Sequence, residues 1–186
     1  MMQDNRVNAE NLLSSLGQFK GPAPVHQWNP PYCGEIDIRI ARDGRWYHNG
    51  DLIRRPALMQ LFASVLRRET DGSFSLVTPA ERVGIQVDDC PFVAALVDIE
   101  GEGRQRQLRF TLNTAETVVA DASHPLRIEA INGAPHPVLV VRDGLEALIS
   151  RNVFYQLVEC AELEIIEGKE HLVLYSAGAQ FDLGAT

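Results

Sequence analysis

With 45% hydrophobic and 23% charged side chains over 186 residues, the chain has the balance of a soluble globular protein, which excludes a disordered or fibrous one. Its net charge of −8 repels nucleic-acid backbones and anionic lipid unless the 17 basic residues are gathered locally. A chain of this length buries roughly 70% of its unfolded surface, so it needs neither disulfide nor metal to fold.

The start, Met1 to Glu10, lacks the basic-then-apolar order of a secretory leader. Apolar runs such as Phe92 to Val97 stay far below the roughly 20 residues of a membrane span. Cys33, Cys90 and Cys160 are odd in number and widely spaced, which reads as reduced thiols in a bacterial-type cytoplasm. Among the basic residues only Lys20 and Lys169 are lysine, so any anion contact falls to arginine.

Leu12, Leu13, Leu16 and Phe19 recur at helical spacing within Asn8 to Phe19, an amphipathic helix ended by Gly21, Pro22 and Pro24. Ile36, Ile38 and Ile40 then alternate with polar neighbours as a strand, closed by the turn pair Asp43-Gly44. Pro56 opens a helix whose stripe runs through Ala57, Leu58, Leu61, Phe62, Val65 and Leu66. Strands are expected at 74–77, 83–87, 92–99, 107–112, 117–120, 126–131 and 138–141. A second helix is expected over 151–160, then a hairpin turning at Glu167-Gly168-Lys169 and a last strand near 179–183. The fold class is α+β and β-rich. The expected divisions are a helix and linker over 1–30, a first repeat over 31–100 and a second over 101–186.

Self-similarity is the strongest signal. Leu52 to Leu61 and Leu148 to Leu157 share leucine, isoleucine, arginine, glutamine and leucine at matching places. Upstream of each stands Arg-Asp-Gly, at 42–44 and again at 142–144. The helical stripes agree as well, so a duplicated strand–turn–helix–hairpin unit is expected.

No catalytic constellation stands out. The five histidines have no zinc-type spacing with cysteine or carboxylate, and His124-Pro125 and His136-Pro137 read as turns. There is no nucleophile elbow, phosphate loop or dinucleotide fingerprint. Thr78-Pro79-Ala80-Glu81 reads as a capping box, whose N–H groups either close a turn or meet an anion. Arg54, Arg55, Arg67 and Arg68 flank the first helix with no acid between them, and Arg67-Arg68 suits a helix C-terminus. Arg104, Arg106 and Arg109 gather around a turn. Arg55 and Arg151 occupy matching places in the two repeats and could form a phosphate-binding groove or remain solvated.

Several stretches together resemble a bacterial family known as domain of unknown function 1285. They are Trp28-Asn29-Pro30, Cys33-Gly34-Glu35-Ile36-Asp37, Asp43-Gly44-Arg45-Trp46-Tyr47, and Leu76 through Ile85. Later come Asp88-Asp89-Cys90-Pro91-Phe92, Asp121 through Arg127, and Val140 through Leu148. One departure is Arg82, where lysine is expected; the charge is kept. The resemblance implies a duplicated core with a pleckstrin-homology-like C-terminal half. It also implies a ligand site between the halves for a nucleotide-like molecule, and a signalling role.

The leading expectation is therefore a cytoplasmic, non-enzymatic module that binds a small anionic ligand between its repeats and has a signalling protein as partner. Arg55, Arg67, Thr78, Glu81 and Arg127 are the candidate contacts, with no cofactor and no metal. The alternative is a protein-interaction adaptor working through a strand edge or the N-terminal helix. Phosphoinositide binding is opposed by the net charge of −5 over Val138 to Leu183, and a nucleic-acid polymer by the charge of the whole chain. A hydrolase would need a nucleophile–base pair assembled by tertiary contact.

Overall fold

The computed structural model describes residues 22–185, so the helix expected over Asn8 to Phe19 lies outside the described residues. The chain divides into two units, the first ending at Asp89 and the second starting at Cys90. That boundary precedes the expected 100/101 division because the strand over 92–100 pairs inside the second sheet.

The first unit contains β1 (Tyr32–Ile40), β2 (Trp46–His48), β3 (Asp51–Leu52), α1 (Pro56–Ser64), β4 (Leu66–Arg68), β5 (Phe74–Val77) and β6 (Arg82–Val87). They form one sheet of order β3-β2-β1-β6-β5-β4. Each half is an antiparallel meander, and the two are joined by parallel pairing of β1 with β6. Strands β2 and β3, absent from the sequence reading, are joined by Asn49-Gly50, whose φ angles of 50° and 82° are those of a two-residue hairpin turn.

Ile38, Ile40, Leu66, Leu76 and Val83 are buried, and Phe62 of α1 stacks on Trp46, with ring centroids 6.2 Å apart and 17° between the planes. The Trp46 indole N–H finds no acceptor among the described residues. That omission costs about 1–3 kcal/mol, which the burial of both rings offsets.

Pro56 stands in the first turn of α1, as its lack of an N–H allows. The helix stops at Ser64, two residues short of the expected Leu66. Val65 departs from helical geometry (φ −111°, ψ 10°), and Leu66 pairs with Leu76 across a hairpin. Arg67 and Arg68 thus lie on a strand, and the helix dipole does not account for them.

The second unit opens with β7 (Phe92–Glu100), β8 (Gln107–Leu112), β9 (Thr117–Val119), β10 (Leu126–Ile131), β11 (Ala134–Arg142) and β12 (Leu145–Ile149). These form a sheet of order β10-β11-β12-β7-β8-β9, again two meanders joined by parallel pairing of the first strand with the last. Then follow α2 (Arg151–Glu159) and a separate three-stranded sheet, β13 (Glu162–Ile166), β14 (Lys169–Ser176) and β15 (Ala179–Ala185). His136-Pro137 lies in β11 rather than in a turn. Pro135 and Pro137 precede Val138, where β12 begins to pair, so their missing N–H groups interrupt no ladder on that side.

The chain therefore consists of two similar β-rich halves in an α+β arrangement, yet the repeat is of two kinds. The six-stranded sheets share one topology, but α1 sits between the meanders of its sheet whereas α2 follows its sheet. The helices start at Pro56 and Arg151, and the buried Phe62 corresponds to the buried Leu157. This is one residue away from the alignment of the sequence motifs.

Two outcomes follow for stability. Phe62→Ala removes the stack and leaves a cavity, so it should cost about 3–5 kcal/mol, seen as a lower melting temperature and red-shifted Trp46 emission. Asp88 at the end of β6 is held below the usual carboxylate range first by its hydrogen bonds from Arg39 of β1, at 2.9 and 2.5 Å. A lowered pKa stabilises the fold above the ordinary aspartate value of about 3.9, and that contribution fades as pH falls through the folded value. Acid titration of Asp88→Asn should show lower stability than the parent above this range and convergence with it in strong acid.

Candidate functional site

Two clefts are notable among the described residues of the first unit. In one, α1 begins behind the β2–β3 hairpin, and His48, Asn49, Asp51, Arg54, Arg55 and Leu58 line a volume of ≈ 330 Å³. Both arginines are exposed, and among the described residues no ion pair engages either. Two guanidinium groups against the single Asp51 carboxylate give this cleft an excess of positive charge. Arg55 is the extended residue preceding the helix, so its fork is presented by the strand-to-helix turn. The Leu58 side chain supplies an apolar wall.

The second cleft, of ≈ 390 Å³, lies over β1, β6 and β5 and is lined by Tyr32, Glu35, Asp71, Ser75, Arg82 and Gly84, with Ser73, Phe74 and Ile85. The Arg82 guanidinium carbon sits 5.1 Å from the centre of the Tyr32 ring and pairs with Glu69 at 3.1 Å. Glu69 also accepts from Arg67, at 3.0 and 3.2 Å.

The expected contact residues fall into different settings. Arg55 lines the first cleft. Arg67 is committed to Glu69 and to the Val25 and Trp28 carbonyls, at 3.1 and 2.9 Å, which fastens the segment before β1 to β4. Thr78 is buried, and its Oγ1 accepts from the Ala80 and Glu81 N–H groups at 3.3 and 3.1 Å. Its own N–H donates to the Glu81 carbonyl oxygen at 2.9 Å. The turn thus consumes the donors that would have met an anion, and the Glu81 backbone takes the part expected of its carboxylate. Arg127, in the second unit, pairs with Glu146 and, at 3.4 Å, with Glu129.

The other arginine groupings are structural as well. Arg106 is buried and donates to the Cys160 carbonyl at 2.6 Å, holding the end of α2. Arg104 lies over the Tyr175 ring at 5.1 Å. Arg54 was visible in the sequence as part of a basic cluster. Tyr32, Glu35 and Gly84 carried no signal, because only the parallel β1–β6 register places them together. The same holds for the buried Cys90 and His136 of the second unit, whose sulfur and ring nitrogen lie within 4.8 Å.

Two family models cover the chain: "Domain of unknown function (DUF1285), N-terminal domain" over residues 23–90 and "Protein of unknown function (DUF1285), C-terminal domain" over residues 91–183. Two successive domains, each a sheet of paired meanders, are the class that the fold defines. The chain belongs to the DUF1285 family. It is similar to a DUF1285 family protein from Silicibacter pomeroyi DSS-3, whose crystal structure at 2.50 Å superposes with a TM-score of 0.84. Identity is 47%, over 94% of this chain and 95% of that one. A DUF1285 family protein from Shewanella baltica OS155 shares the fold alone, with 23% identity, a TM-score of 0.51, and coverage of 66% of this chain and 90% of that one. No curated protein matches the chain. Among the described residues no helix is long and apolar enough to cross a membrane.

The three thiols differ in reach. Cys33 is exposed and Cys90 buried, while burial pushes the Cys160 thiol up from its ordinary value. Iodoacetamide on the native protein should label Cys33 first, with Cys90 and Cys160 reacting only on unfolding. Rapid labelling of Cys160 would contradict its partly buried placement at the C-terminal end of α2.

Proposed function

We propose that the protein is a cytoplasmic, non-enzymatic module that binds a small anionic molecule, with Arg54 and Arg55 as its recognition groups. The observation that supports this reading is the pair of exposed guanidinium groups, unengaged by described carboxylates, in a cleft of ligand size. Guanidinium forks suit phosphate and carboxylate bidentately, and a nucleotide-like compound offers both a phosphate and a flat body. The Asn49 amide and His48 ring add further hydrogen-bonding groups around the same space. Arg67, Thr78 and Arg127 serve this reading as supports of the fold, each occupied by its own neighbours, and Glu81 does so through its backbone. A signalling role would follow from ligand occupancy altering what the module meets.

A second reading, an adaptor without a small ligand, is favoured by one observation. Strand β13 is the outer strand of its sheet and leaves Leu163 and Ile165 62% and 68% exposed. Glu162, Glu167 and Glu170 beside them would select an extended partner segment that alternates basic and apolar residues.

Thermal shift separates the two. Inorganic phosphate and phosphorylated nucleosides should raise the melting temperature of the parent by several degrees, and Arg54→Gln with Arg55→Gln should abolish the rise while leaving the unliganded melting temperature in place. If no anion shifts the parent, or if the double variant keeps the shift, the anion reading fails. Leu163→Lys with Ile165→Lys should leave the phosphate response untouched.

A further inference from the structure

We infer that the cleft over β1, β6 and β5 is a second binding site of opposite electrostatic character, built for a zwitterionic free α-amino acid. The inference begins with the strand register. Tyr32 pairs with Arg82 and Glu35 with Gly84 across the parallel ladder, while Ser75 pairs with Gly84 on the other side. Glu35, Gly84 and Ser75 thus form one row across three strands, and the middle member has no side chain. A Cβ at Gly84 would stand 3.0 Å from the Tyr32 hydroxyl and 3.3 Å from Glu35 Cγ. The missing side chain lets Tyr32 and Glu35 close over the strand at Gly84, and with Ser75 they bound the cleft.

The charges around the cleft select the ligand. Arg82 is its cation, paired with Glu69 and seated over the Tyr32 ring. Its pairing with Glu69 uses NH1, so the rest of the fork remains for a carboxylate. Asp71 and Glu35 are its anions. Asp71 accepts from the Ser73 hydroxyl and N–H at 2.6 and 2.9 Å, which holds it ionised and in place. Glu35 is exposed and engages no cation among the described residues. Two carboxylates against one guanidinium disfavour a simple anion here, in contrast to the Arg54–Arg55 cleft. A molecule with a carboxylate for Arg82 and an ammonium for Glu35 satisfies both signs. Arg82 and Glu35 lie on adjacent strands about 5 Å apart, offset by two residues or about 7 Å along them, a diagonal that their long side chains span around one small molecule. Phe74, Ile85 and the Tyr32 ring remain to receive its side chain.

The test uses the full chain and the twenty free L-amino acids, screened by thermal shift and then measured by titration calorimetry. At least one amino acid should bind, and its N-acetyl and methyl-ester forms should each bind about tenfold or more weakly, since each removes one charged hydrogen-bond partner. Glu35→Gln should weaken binding of the parent amino acid in the same way. Gly84→Val, at a φ open to any residue, displaces Tyr32 and Glu35 from the cleft, so it should abolish binding, with retention of the fold checked by circular dichroism. Arg55→Gln should leave amino-acid binding intact. The inference is overturned if none of the twenty binds, if the blocked forms bind as well as the free one, or if Gly84→Val binds unchanged.

Discussion

The parallel pairing of β1 with β6 is the constraint on which the first unit rests. It joins two meanders whose members are neighbours in sequence by a contact between the first strand and the last. Without it each meander is a three-stranded ribbon with two open edges. The Arg39–Asp88 ion pair ties the same two strands at one end, and the Tyr32–Arg82 stack ties them at the other. Loop closure over this span costs little more than over a shorter one, because its entropy grows only logarithmically with length. Burial of Ile38, Ile40 and Val83 supplies the return. Both clefts inherit their geometry from this pairing: one lies directly on the β1–β6 ladder, and the other hangs from the hairpin that β1 continues into.

The second unit closes its sheet in the same manner, β7 against β12, but spends its arginines differently. Arg106, Arg104 and Arg127 are each engaged by a carbonyl, a ring or a carboxylate of their own unit. In the first unit Arg67 and Arg82 share Glu69, while Arg54 and Arg55 have no such partner. Among the described residues Arg54 and Arg55 thus stand as two adjacent guanidinium groups without an ion pair, and on the proposed reading it is their adjacency that would favour an anion.

Local signals made much of this legible in the sequence. Alternation marked Gln107–Leu112 and Leu126–Ile131 to the residue, and Pro56 marked the start of α1. Long-range register was not legible, because pairing partners such as Tyr32 and Arg82 share no spacing. The duplicated motifs also concealed a difference. Arg42-Asp43-Gly44 closes through the Ala41 N–H donating to the Arg45 carbonyl and the Gly44 N–H donating to the Ala41 carbonyl, whereas Asp143-Gly144 forms a two-residue turn with both φ angles positive. Identical triplets built unlike turns because the strands entering them differ in register. Strand Leu145–Ile149, central to its sheet, escaped notice because its five residues read as the approach to α2. The Thr78 turn shows how a capping signature can be correct in its cap and silent about a ligand, since its donors close on themselves.

Amide NMR of the full chain during titration with inorganic phosphate tests the central claim most directly, that spare positive charge makes the Arg54–Arg55 cleft the anion site. The account predicts that the largest shift changes fall between His48 and Leu58, with Glu35 and Gly84 unmoved. Largest changes within residues 90–185, or at Arg82, would contradict it.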